Sequence, residues 1–219
     1  MKTRQLFYLI FLFSLILTSC SVEAVKASSD IVTEERILSE FTEVDASNDI
    51  QIVIKQGATQ SVKVTTSDNI QRKVSTKVSG RKLTIKTTGI VIRDLSVLKL
   101  EISMPTITSL VLSSDSFGTL SGFENLDALR IKASSDSYIT LLSGSSNSMD
   151  IDASSDARVE GFGFESKTCN VNCSSDASIS ITCLDNLSGS VSSDAVVFFK
   201  GNPTVNVSTS SDGSVVNSN

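Results

Sequence analysis

Ser-Ser-Asp occurs six times in the second half of this 219-residue chain, ending at Asp115, Asp136, Asp156, Asp176, Asp194 and Asp212. Successive copies lie 21, 20, 20, 18 and 18 residues apart. Self-similarity at such a period restricts a chain to a solenoid, in which each repeat is one turn and buries its apolar face only against its neighbours. The flanking residues say what kind of turn. Leu129, Ile131 and Ala133 alternate with Arg130 and Lys132 before one copy, and Met149, Ile151 and Ala153 alternate with Asp150 and Asp152 before the next. Cys169, Val171 and Cys173, then Val205, Val207 and Thr209, repeat the pattern. After the aspartates, Ala157, Val159 and Gly161, and Ala177, Ile179 and Ile181, resume it. Period-two alternation marks strands with one buried face, and no segment shows a helical period.

The expected fold is therefore all-β, a right-handed parallel β-helix (β-solenoid) with 18–21-residue rungs. Equivalent strands would run parallel about 4.8 Å apart, right-handed because parallel crossovers nearly always are. Gly189 takes an inward position where other rungs place Ile or Val, which makes the fifth rung weaker. Cys169 and Cys173 also point inward, where free cysteine packs as a small hydrophobe. Four residues of straight strand span about 13 Å, too far for a mutual disulfide. A bridge from Cys183 to one of them stays open.

The segment before the repeats is also strand-like. Asp49 to Ile54, Ser61 to Val64, Lys82 to Ile85 and Leu98 to Met104 alternate or run apolar, with Gln56-Gly57, Ser79-Gly80 and Thr88-Gly89 as turns. They read as earlier rungs of the same solenoid, and Ile90 to Leu98 as a protruding loop. The expected organisation is a targeting segment over 1–19, an anchor residue and polar tether over 20–35, and one β-helix domain over 36–219.

The amino terminus supports export. Lys2 and Arg4 precede an apolar run from Leu6 to Leu17 that has the length of a signal-peptide core. It ends in Leu17-Thr18-Ser19-Cys20, which resembles the lipobox of bacterial lipoproteins. That resemblance implies cleavage before Cys20, lipidation of this cysteine, and a chain anchored in the cell outer membrane, facing either the periplasm or the exterior. Several acyl chains on one residue give stable anchoring.

The charge is unevenly shared. Residues 21–109 carry 12 basic and 11 acidic side chains, residues 110–219 carry 5 and 13. An acidic solenoid argues against nucleic acid as a partner. The acid-free stretch holding Arg72, Lys73, Lys77, Arg81, Lys82 and Lys86 reads as a solvated strand face.

The order of elements resembles the GIN domain family, described as an auto-transporter adhesin head and common in lipoproteins of Bacteroidetes. The resemblance rests on Phe41 and Val44 before the Ile50-to-Ile54 strand and Gln56-Gly57, on Lys82 to Ile85, and on Ile102-Ser103-Met104-Pro105 leading into Leu110 to Ser113. The small-residue corners and Phe199-Lys200-Gly201-Asn202-Pro203 complete it, over roughly residues 36–216. Family corners are richer in glycine, where this chain places Ser or Asp. The resemblance implies a β-helix with an adhesive role and supplies no catalytic motif.

Two readings of the tripeptide follow. Ser and Asp side chains bond backbone amides in turns, and Asp tolerates left-handed angles, so the tripeptide builds a corner. Alternatively, Asp115, Asp136, Asp156, Asp176, Asp194 and Asp212 form an oxygen ladder that could take Ca²⁺, the one cofactor considered. An enzyme is the rival functional class, a β-helix polysaccharide hydrolase or lyase using aspartate carboxylates. The chain has no His, which excludes His-dependent triads and His metal sites. A carboxylate pair needs two differing environments, and the repeat offers one environment six times. The expected function is a non-catalytic, lipid-anchored envelope module. Phe117 and Tyr138, outward neighbours on adjacent rungs, are the candidate binding residues for a surface glycan or protein.

Overall fold

The computed structural model describes residues 23–219. Cys20 and the targeting segment lie outside the described residues. Of the described residues, 69% lie in strands, arranged as a β-solenoid of about 5 turns.

The solenoid half follows the tripeptide. Strands β10 (Ser109–Ser113), β11 (Phe117–Ser134), β12 (Tyr138–Ser154), β13 (Arg158–Cys173) and β14 (Ser178–Ser192) stack in parallel in chain order. Strands β15 (Val196–Lys200) and β16 (Thr204–Ser210) both lie on β14, and β17 (Ser214–Asn217) lies on β15. The register matches like with like: Leu129 opposes Met149, Met149 opposes Cys169, Cys169 opposes Leu187, and Leu187 opposes Val205. The inward residues picked out by alternation are buried up to Val191, and burial fades on the last rung, where Val205 is 44% exposed. A parallel stack buries each rung only through its neighbours, so the outermost rung keeps an open side.

Two glycines fix where rungs touch. Gly144 lies between Phe123 and Phe164, the largest fully buried side chains, and a Cβ there would fall 2.3 Å from the Phe123 carbonyl oxygen and 2.5 Å from the Phe164 ring. Gly189 has φ +129, and a Cβ on it would meet the Val171 carbonyl oxygen at 1.9 Å. The glycine expected to weaken the fifth rung is the residue that lets this rung close on the fourth.

The amino-terminal half departs from sequential stacking. Strands β3 (Glu43–Ser47) and β4 (Gln51–Gln56) form a rung beneath β10 and β11. Strands β7 (Lys82–Thr87) and β9 (Leu98–Met104), later in the chain, form the rung beneath that one. The chain thus lays one rung, goes below it for the next, then climbs back over the first. Strand β5 (Ser61–Ser67) pairs antiparallel with β9, β6 (Val74–Ser79) antiparallel with β7, and β2 (Ile31–Glu35) antiparallel with β5.

Three expectations are corrected here. Residues 23–35, expected as part of a tether, contribute β2 and β1 (Glu23–Lys26), and β1 pairs in parallel with β8 (Ile90–Arg93), in the segment expected as a protruding loop. Ser61 to Val64 belongs to an antiparallel strand, not to a rung. Buried Gln71 fastens this end: its Nε2 donates to the carbonyls of Val32 and Val64, each at 2.9 Å, and its Oε1 accepts from Arg36 at 2.8 Å.

Candidate functional site

The tripeptide builds corners. In every copy the second serine and the aspartate have positive φ, between 46° and 61°. Two successive left-handed residues turn the chain sharply, a conformation Asp tolerates better than most residues. The turn is continued between rungs by backbone bonds: the amides of Asp115, Asp136, Asp156, Asp176 and Asp194 each donate, at 3.0 Å, to the carbonyl of the second serine one rung on. The first serine leads the strand out, and the residue after the aspartate turns inward: Ser116, Ser137, Ala157, Ala177 and Ala195 are buried. Ser137 satisfies its hydroxyl by donating to the Leu112 carbonyl at 3.0 Å and accepting from the Ser134 amide at 2.9 Å.

The same geometry recurs outside the six tripeptides. Asn48 and Asp49 have φ of 77° and 54°, and the Asp49 amide donates to the Ser114 carbonyl at 3.0 Å. Ser47-Asn48-Asp49 is a seventh corner with Asn for the second serine, and the Ile50-to-Ile54 strand directly after it was the available signal.

The six aspartates stand exposed on successive corners. Among the described residues, no group of three or more His, Cys, Asp or Glu is placed to hold a metal ion.

Phe117 and Tyr138 do come together. They oppose each other in register, their ring centroids 6.2 Å apart and their planes at 70°, an edge-to-face pair. Arg158 follows in the same column, with its Nη1 3.9 Å from Glu160 Oε1. Burial first, and the nearby Glu160 carboxylate next, hold the Tyr138 pKa above the ordinary tyrosine value.

These residues belong to a larger face. The strands that follow each corner point every second residue outward, giving Phe117 and Thr119, then Tyr138, Thr140 and Leu142, then Arg158, Glu160 and Phe162, and later Val196, Phe198 and Lys200. Phe117 is 54% exposed, Leu142 56% and Phe162 38%. Lys200 Nζ sits 4.6 Å from the centroid of the Phe162 ring. Phe117 and Tyr138, the two residues expected from rung alignment, are only part of this face. The i, i+2 spacing from Tyr138 to Leu142 and from Arg158 to Phe162 would have extended it.

A second surface is a groove of about 710 Å³ that crosses five rungs where strands enter the corner-ward run. Its floor includes Leu129, Met149 and Cys169. Along it Arg130 pairs with Asp150 at 3.0 Å, and Asn170 Nδ2 donates to the other Asp150 oxygen at 2.8 Å. This line of partners satisfies itself between rungs.

All three described cysteines are buried and unpaired. Cys173 lies apart, its thiol near the Ala177 and Val196 carbonyls at 3.3 and 3.9 Å, and burial pushes its pKa up to about 12.

The comparisons extend the picture. A solved "putative adhesin" from Bacteroides fragilis superposes with a TM-score of 0.70 at 16% identity, covering 89% of this chain and 100% of that one. A "Putative lipid binding protein" from Parabacteroides distasonis gives 0.57 at 15%, covering 90% and 100%. A "putative adhesin" from Parabacteroides merdae gives 0.54 at 15%, with the same coverage. At these identities the likeness shows a shared fold. No curated protein matches the sequence. The family described as "Putative auto-transporter adhesin, head GIN domain" matches residues 40–203, which takes in every rung from β3 to β15, and the chain belongs to this family.

Proposed function

We propose that this chain is a non-catalytic binding domain of the cell envelope, anchored at the outer membrane by lipid on Cys20, and that it holds carbohydrate on the outward face around Phe117, Tyr138 and Phe162. The observation that carries this reading is that face itself. Exposed rings stand beside a hydrogen-bonding cluster of Arg158, Glu160 and Thr140 on a rigid parallel sheet. Aromatic faces cover the C–H side of a sugar ring, while a carboxylate and a guanidinium take its hydroxyls at fixed geometry. The adhesin description of the family agrees with such a role. Calcium plays no part in this reading: the aspartate ladder is the corner of the coil.

The test uses purified residues 21–219 on a panel of immobilised neutral and acidic oligosaccharides. Retention is expected on at least one member, weakened about tenfold or more when Phe117, Tyr138 and Phe162 are all changed to Ala. Equal retention of the variant, or no retention of the native chain, overturns the binding reading. Anchoring is read separately: labelled palmitate should enter the native chain in cells and be lost in Cys20→Ser. Protease shaving of intact cells then tells surface display from a periplasmic orientation.

A further inference from the structure

Cys183 and Cys169 stand on adjacent strands with both thiols turned into the core. Cys183 opposes Ser166, and its Sγ lies 3.1 Å from the carbonyl oxygen of Asn186, the residue opposite Thr168. Leu187, next in the chain, opposes Cys169. This places the Cys183 sulfur between the Asn186 carbonyl and, at 3.8 Å, the Lys167 carbonyl of β13, two residues before Cys169. A register shift between Ser166 and Thr168 brings this about, by letting the β14 chain swing its cysteine toward the β13 side chain three residues on. Cys173 has no such neighbour. Its sulfur faces the next corner, near the Ala177 and Val196 carbonyls.

We propose that Cys169 and Cys183 are the two halves of an intrachain disulfide that the exported chain carries, cross-linking β13 to β14, with Cys173 left as a free thiol. The proposal rests on the export reading, since such bonds persist in oxidising compartments. The two sulfurs differ in a way that suits the chemistry. Hydrogen bonding from the Cys169 thiol holds the Cys183 pKa below the ordinary thiol value, while the same contact and burial raise that of Cys169. The Cys183 thiolate is then the attacking group. It displaces one thiolate from a low-molecular-weight disulfide such as oxidised glutathione, forming a mixed disulfide. Cys169 gives up its proton, its sulfur attacks the Cys183 sulfur, and the second glutathione thiolate leaves. Two electrons pass from the protein sulfurs to the glutathione pair, and each released thiolate can take up one of the two protons. Cys169 is among the residues that line the groove described above.

The experiment equilibrates purified, reduced residues 21–219 with a glutathione redox buffer, then denatures and alkylates them. The expected result is one alkylated cysteine, Cys173, and a non-reduced peptide joining Cys169 to Cys183. The same cross-link should form in Cys173→Ala and be lost in Cys183→Ala. The oxidised chain should melt roughly 6–12 °C above the reduced one, from closure of a short loop. Three alkylated cysteines, or a cross-link that maps to Cys173, overturns the proposed pair. A second arm alkylates the chain straight from the cell envelope of a native host. If the pair forms in the buffer and the envelope chain is fully reduced, the pairing stands and its occurrence in the exported chain is overturned.

Discussion

Tyr138 stands in the middle of the outward face, and it is the one tyrosine after Cys20, Tyr8 being the other in the sequence. Its titration can therefore be followed by ultraviolet absorbance without assignment. Partial burial and the nearby Glu160 carboxylate both favour the protonated phenol, so the folded pKa lies above the unfolded one. The stability this group contributes is fully present below the unfolded value and is lost as pH rises through the folded one. The expected absorbance midpoint is above 10.0 in the folded chain, falls in denaturant, and falls part of the way in Glu160→Gln. A folded midpoint at or below the denatured one would sink this account of the face. Phe117 and Tyr138 were legible as outward neighbours because alternation and rung spacing are sequence properties. The influence of Glu160 was not, because it stands diagonally from Tyr138, opposite Thr140 on the next rung, and rung alignment pairs only residues directly opposite.

The corner is the element that sets the coil. Its second serine and aspartate both sit in the left-handed region, which costs about 1–2 kcal/mol for an ordinary residue and little for glycine. Backbone bonds from the first five Asp amides to the next rung offset that cost. The cost falls on conformation, so side-chain shape at the second serine decides it. Ser155→Gly is expected to leave stability within about 1 kcal/mol of the native value, on the stabilising side. Ser155→Val is expected to lose about 1–2 kcal/mol, because a β-branched side chain crowds a positive φ. Urea midpoints of the two variants check this; equal midpoints would mean that the corner does not depend on its backbone angles. The tripeptide was legible as a corner from Ser and Asp chemistry alone. The Ser47-Asn48-Asp49 copy was not legible because it lies 66 residues from the next one in register, Ser113, with β5, the β6–β7 hairpin, β8 and β9 between.

At the scale of the molecule, the amino-terminal end is closed and the carboxy-terminal rung is open. Strand β2 covers the β5 edge through five residue pairs, Ile31 to Glu35 against Ser67 to Lys63, and gives Gln71 one of its acceptors at Val32. A uncovered strand edge is a template for pairing with other chains. A chain beginning at residue 36 should therefore have a lower melting temperature than residues 21–219, and should elute partly as oligomers in size-exclusion chromatography. Identical melting and a monomeric profile would restore the tether reading of residues 21–35.

The sequence by itself determined the class of fold, the rung length, the inward residues and the place of each of the six corners. All of these repeat at short range, and a period of twenty residues must stack like on like to bury its apolar side. Tertiary structure alone decided the rung order of the amino-terminal half and the antiparallel closure by β2, β5 and β6. Each of these depends on which non-repeating strands find one another across tens of residues. Alternation says which face of a strand is buried, and it carries no information about which neighbour buries it.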